Sequence, residues 1–178
     1  SGPALLILLA LAVRRFTKYD PGLNALGKLS LIVTYAMVIN LFLILTEVFV
    51  VVYGQVPGHM EHFQYLYFGL NGHSALVPWM WASAILGVAG VGLLINPDVR
   101  RNPRWLGIAC AAVYISTWID KGLGLVVGGF IPSPLEHVTE YFPSVGELVM
   151  AVAIYALALL VITLLYKIVI ATKEELAA

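Results

Sequence analysis

A single cysteine, Cys110, stands in this chain, inside an apolar run. It cannot close an internal disulfide, and alone it cannot hold a cysteine-ligated iron–sulfur cluster. Charge is also scarce. Only 11% of the residues are charged and the basic and acidic totals cancel, so nothing points to nucleic acid as a partner. No histidine falls in the middle of an apolar run. The facing-helix histidine pair that holds haem b is therefore not expected here. No pair among the histidines has a third ligand at a persuasive spacing, so no metal site is expected either. The chain lacks an initiator methionine and a signal peptide with a basic n-region and cleavage site. It opens on Ser1-Gly2-Pro3 and is apolar through Val13, a run shorter than the ~20 residues that span a bilayer. The expectation is a helix cut near its start, and a chain that forms the later part of a longer membrane protein.

What remains is mostly hydrocarbon. The hydrophobic fraction is 61% and the mean hydropathy +0.92, the composition of a membrane protein. The chain reads as an all-α membrane protein, a single transmembrane helical domain over residues 1–178. Four complete transmembrane helices are expected in an antiparallel bundle, at about 29–53, 75–95, 105–128 and 145–171, with a truncated N-terminal helix at 4–13. Pro78 falls in the first turn of its span, where a missing N–H costs little. Between the second and third spans lies the short turn NPDVRRNPR.

The cations are distributed unevenly. Arg14, Arg15, Lys18, Lys28, Arg100, Arg101, Arg104, Lys167 and Lys173 all fall on one side of that topology, and only Lys121 lies within a span. The positive-inside rule makes this the cytoplasmic side, together with the C-terminus. His59, His62, His73 and His137 then belong to loops on the periplasmic or external face. The arginines can also attract anionic lipid.

Chemistry-bearing residues gather around the loop 54–74. Glu47 lies inside the preceding apolar run, and an ionisable group in a span points to function by default. Asn40 is two turns earlier on the same helical face. The competing reading is a buried ion pair between Glu47 and Lys121. Asp120 and Lys121 are neighbours on one helix, pointing about 100° apart, so one can meet Glu47 while the other lines a cavity. Gly122, Gly124, Gly128 and Gly129 would let that helix approach others closely. Histidine can hydrogen-bond a quinone carbonyl and carry its proton near neutral pH, which makes His59 and His62 weak quinone candidates. Glu47, Asp120, Lys121 and His73 are the proton-relay candidates.

Several of these residues have plainer roles open to them. Gly58-x-x-Glu61 can start a short helix, and Ser133-Pro134-Leu135-Glu136 and Ser144-Val145-Gly146-Glu147 both fit a capping box. Phe63, Tyr65, Tyr67 and Phe68 fit an interfacial aromatic belt, and Trp79, Trp81, Trp105 and Trp118 fit interface anchors or bundle packing. Pro57-x-x-Met60-Glu61-His62 is echoed by Pro132-x-x-Leu135-Glu136-His137, the mark of a parallel repeat of two hairpins.

The strings VPGHMEHFQYLYFGLNGHSALVPWMW and YISTWIDKGLGLVVGGFIPSPLEHVTEYFPSVGEL resemble the NrfD/PsrC family of membrane quinone-interacting subunits, nearest the DsrP and HmcC branch. The resemblance covers nearly the whole chain. It implies electron exchange between menaquinone and a ferredoxin-like iron–sulfur subunit on the periplasmic side, within a respiratory complex of sulfur metabolism that includes other membrane and cytochrome subunits. It implies no haem or iron–sulfur cluster in this chain, and a fold of two four-helix bundles of which this is the later. The family's quinone pocket lies in the earlier bundle, so menaquinone would be bound mainly outside this chain, with a proton path or second cavity here. The rival readings are a structural anchor for extrinsic redox subunits, and half of a transporter.

Overall fold

In the computed structural model the described residues are 1–16, 22–131 and 143–177. They form an all-α protein in two compact units, Ser1–Glu140 and Tyr141–Ala178. Four helices, Leu23–Gly54, Val77–Ile95, Pro103–Val127 and Val145–Val169, are long and apolar enough to cross a membrane.

The first unit begins with α1 (Gly2–Phe16) and α2 (Leu23–Gly54). At 1.5 Å per residue α2 is roughly 48 Å long, more than the ~30 Å hydrocarbon layer, so its ends project beyond the apolar zone. It stops at Gln55, which turns left-handed (φ 45°) and donates its N–H to Val51 O. The loop after it folds into α3 (Pro57–Tyr67), then a tight turn closed by Leu70 and His73. α4 (Val77–Ile95) follows, with Pro78 in its first turn as expected.

The turn NPDVRRNPR is more ordered than its composition implies. It holds a short helix, α5 (Pro97–Arg101), and the start of α6 (Pro103–Trp118). Each begins with the same device. Asn96 Oδ1 accepts from Asp98 N–H at 3.0 Å and Asn102 Oδ1 from Arg104 N–H at 3.2 Å, each with a proline at the first helical position. An asparagine cap and a residue that has no N–H to leave unpaired are both suited to a helix start. α6 then widens into a π-helical segment, Ile119–Val127, and a 3-10 turn, Gly128–Phe130.

α4 and α6 pack tightest, antiparallel. Ser83 Oγ donates to Ser116 O and Ser116 Oγ to Ser83 O, both at 2.8 Å, so two buried hydroxyls satisfy each other's helix. Gly87 and Gly90 make the approach possible. A Cβ on Gly90 would lie 2.8 Å from Val113 Cγ2, and one on Gly87 2.8 Å from Ser116 Oγ. Ile7 of α1, Val33 and Met37 of α2, Leu94 of α4, and Leu106 and Val113 of α6 build the main core. A smaller one joins Tyr65 and Leu66 to Leu76, Met80 and Ile131. Tyr65 is thus a core residue, at 1% exposure, and not part of an aromatic belt. The outer faces remain apolar: Phe42, Leu45, Ile85 and Val88 are all exposed. Apolar patches of that extent fit lipid, not water.

The second unit is one helix, α7 (Val145–Ala177). Its start is a reciprocal cap: Glu147 Oε2 accepts from Ser144 N–H at 2.6 Å, and Glu147 N–H donates to Ser144 Oγ at 3.4 Å. The expected capping box is present at this helix. Ser144→Ala should fray the first turn by about 1 kcal/mol. Faster amide hydrogen exchange at residues 145–147, with no change further along α7, would register it. The other expected box, Ser133–Glu136, and the echo at Pro132–His137 lie outside the described residues.

Candidate functional site

Two adjoining cavities open in the first unit, both walled by α2, α3 and the α6/π helix. One is apolar and about 360 Å³, lined by Asn40, Ile44, Trp81, Gly87 and Thr117 among others. The second is about 350 Å³ and carries Glu47, His59, His62 and Lys121. Both volumes sit at the lower end of the range for small-ligand sites. Ile44, Val48, Phe63, Tyr67 and Asp120 line both cavities. Tyr67 and Asp120 are the two ionisable side chains on that shared wall.

The backbone explains why Asp120 is there. In the π segment the hydrogen bonds skip an extra residue, which widens the helix; such turns recur at functional sites. The segment starts at Ile119. Gly124, within it, lets Met80 come close: a Cβ there would lie 3.1 Å from Met80 Sδ and 4.0 Å from Asp120 Oδ1. Gly128 does the same for Leu66, whereas Gly122 and Gly129 face open space.

Asp120 Oδ2 lies 3.0 Å from Lys121 Nζ, with the aspartate mostly covered and the lysine half exposed. Aspartate and lysine therefore pair with each other, although neighbours on a helix diverge. The flexible four-carbon lysine stem curls back. This corrects the expected Glu47–Lys121 pair. Glu47 itself is exposed on the surface of the chain, not buried, and lines the mouth of the second cavity.

Comparison with protein-family models, with curated proteins and with solved structures finds no match to this chain.

The histidines divide. His62 Nδ1 is 3.0 Å from Ile131 O. A carbonyl only accepts, so Nδ1 carries the proton and donates it there. His59 lines the same cavity from an exposed position. His73 is in the turn after α3, where its N–H bonds Leu70 O at 2.9 Å, and it is not among the residues lining either cavity. His137 lies outside the described residues. Glu61 does not cap α3: that helix starts at Pro57 after Val56, with no side-chain cap.

Tyr67, whose sequence context fits an aromatic belt, forms part of the wall between the cavities. It stacks at a tilt on Phe63 (4.7 Å) and edge-on against Trp81 (6.0 Å), and its carbonyl accepts from Trp81 Nε1 at 3.0 Å. Burial raises its phenol above the ordinary 10.0, and the carboxylates of Asp120 and Glu47 add to the shift in that order. Tyr67 therefore keeps its proton at neutral pH, so its hydroxyl has a hydrogen to donate. Asn40 and Glu47, two turns apart on one face of α2, line one cavity each. Among the described residues no group of three or more His, Cys, Asp or Glu is placed to hold a metal ion.

Proposed function

We propose that this chain is part of a membrane subunit of a respiratory redox complex, in which it carries protons to or from an isoprenoid quinone. The supporting observation is the shared wall. An apolar cavity of about 360 Å³ adjoins one lined by Glu47, His59 and His62, and Asp120 and Tyr67 belong to both. Quinone chemistry needs that combination, because electrons and protons move together while the carrier stays in an apolar place. In this reading menaquinone, when bound, supplies the two-electron, two-proton chemistry, mainly in a part of the protein outside this chain. A ferredoxin-like iron–sulfur subunit takes or gives the electrons on the periplasmic side. Here Asn40 and Asp120, among the polar residues lining the apolar cavity, would face a ring bound there. Asp120 passes a proton across the wall, the protonated Tyr67 steadies the charge by donating, and His62 and Glu47 release it at the mouth. The Arg-rich end faces the cytoplasm of a cell's inner membrane and the histidines face the periplasm.

Glu47→Gln tests the outer end of this path. Quinol-linked turnover of the assembled complex should slow by about an order of magnitude, with assembly unchanged. Wild-type turnover and wild-type proton release would remove Glu47 from the path. The same result at Asp120 as well would favour the rival reading, an anchor for extrinsic redox subunits.

A further inference from the structure

A third cavity lies apart from the other two. It is about 480 Å³ and sits where the end of α1 meets the start of α6, lined by Arg14, Arg15, Arg104, Leu8, Leu11 and Gly107 among others. The two helices meet here: a Cβ on Gly107 would lie in ordinary contact with Leu11 Cδ1, at 3.4 Å. Three guanidinium-bearing side chains therefore share one wall with an aliphatic strip, and among the described lining residues there is no carboxylate.

We propose that this cavity binds one anionic phospholipid, its phosphate among the arginines and its first acyl carbons along Leu8 and Leu11. Three features of the site support this. Arginine's planar fork matches phosphate oxygens, and Arg15 and Arg104 are exposed where a head group can reach them. The backbone offers little in competition: Pro103 has no N–H, and the Arg104 N–H is already taken by Asn102 Oδ1 at 3.2 Å. Recognition falls to the side-chain charges. The cavity also sits beside the apolar core residues Ile7 and Leu106, at the polar end of helices whose outer faces are apolar. That is the depth of a lipid head group, where basic pockets between transmembrane helices take anionic lipids. A free phosphate would satisfy the arginines and leave the Leu8–Leu11 strip wet; a lipid covers both. The site does not depend on the redox reading.

The test uses the intact membrane protein in detergent, titrated with phosphatidylglycerol or phosphatidylcholine, with bound lipid counted by native mass spectrometry. Phosphatidylglycerol should bind more tightly. Arg15→Gln with Arg104→Gln should weaken it roughly 30-fold, at about 1 kcal/mol for each arginine near the surface. Lys28→Gln with Arg101→Gln removes as much charge from positions that do not line the cavity, and should cost far less. Equal weakening by the two pairs, no preference between the lipids, or displacement by inorganic phosphate would each overturn the proposal. A photoactivatable phosphatidylglycerol gives a second reading on the unaltered protein. Label on peptides spanning residues 8–16 and 103–107 supports the site, and label elsewhere only overturns it.

Discussion

Gly90→Leu should take apart the closest helix pair in the molecule. A Cβ at this position meets Val113 Cγ2 at 2.8 Å, Val113 N at 3.3 Å and Ala109 O at 3.4 Å. Two of those atoms are backbone and cannot swing aside, and valine is β-branched and stiff. The rest of a leucine side chain has to be accommodated beyond that first clash. α4 and α6 must separate, which also breaks the reciprocal 2.8 Å bonds between Ser83 and Ser116 and leaves buried hydroxyls unpaired. Overpacking alone costs about 1–3 kcal/mol. With the lost bonds the expected destabilisation is at least about 3 kcal/mol. Gly92 is the control. It lies on the same helix and has nothing within 4 Å of its would-be Cβ. Thermal unfolding in detergent should show Gly92→Leu near the unaltered protein and Gly90→Leu far below it or failing to accumulate. Equal melting of the two would mean that α4 and α6 do not meet at Gly90.

That contact also shows what the amino-acid sequence does and does not reveal. The spans follow from run length, and they were legible to within a few residues, although α2 begins at Leu23 instead of near 29. The Ser144–Glu147 cap was legible because its partners are local. Facing direction was not. α2 is apolar on all sides, so depth along the helix can be read from spacing but the side that meets its neighbours cannot. Glu47 was therefore expected to be buried and is exposed on this chain. The π segment was hidden for a related reason. Its hydrogen-bond register is settled by packing, with Met80 pressed against Gly124 and Leu66 against Gly128. The run of glycines from Gly122 was the available signal, since glycine weakens a regular helix, and it pointed to close packing without naming the register. Tyr67 carried no signal beyond its aromatic neighbours. Its place between the cavities depends on how α3 folds back over α2 and α4.

Asp120→Asn carries the largest functional effect expected here. Asparagine has the size and shape of aspartate, so the wall between the cavities should stay intact. The ion pair with Lys121 is lost, but that lysine is 52% exposed, and exposed pairs contribute little to stability. Melting should therefore move little. Proton handling should not survive, because an amide cannot take up and release a proton near neutral pH. A group that transfers protons in the rate-limiting step typically contributes 10²–10⁴-fold. Quinol-linked turnover should fall by about 10²-fold or more, with a larger solvent isotope effect in whatever activity remains. The slowing should exceed that of Glu47→Gln, since Glu47 is at the exposed mouth, where water offers a way around it. The double variant tests whether the two carboxylates share one path. Residues acting in series are not additive, so the double should be no slower than Asp120→Asn alone. Multiplicative slowing would place them on separate routes. Wild-type turnover in Asp120→Asn, in a complex of unchanged composition, would end the proton-path reading and leave the chain as an anchor.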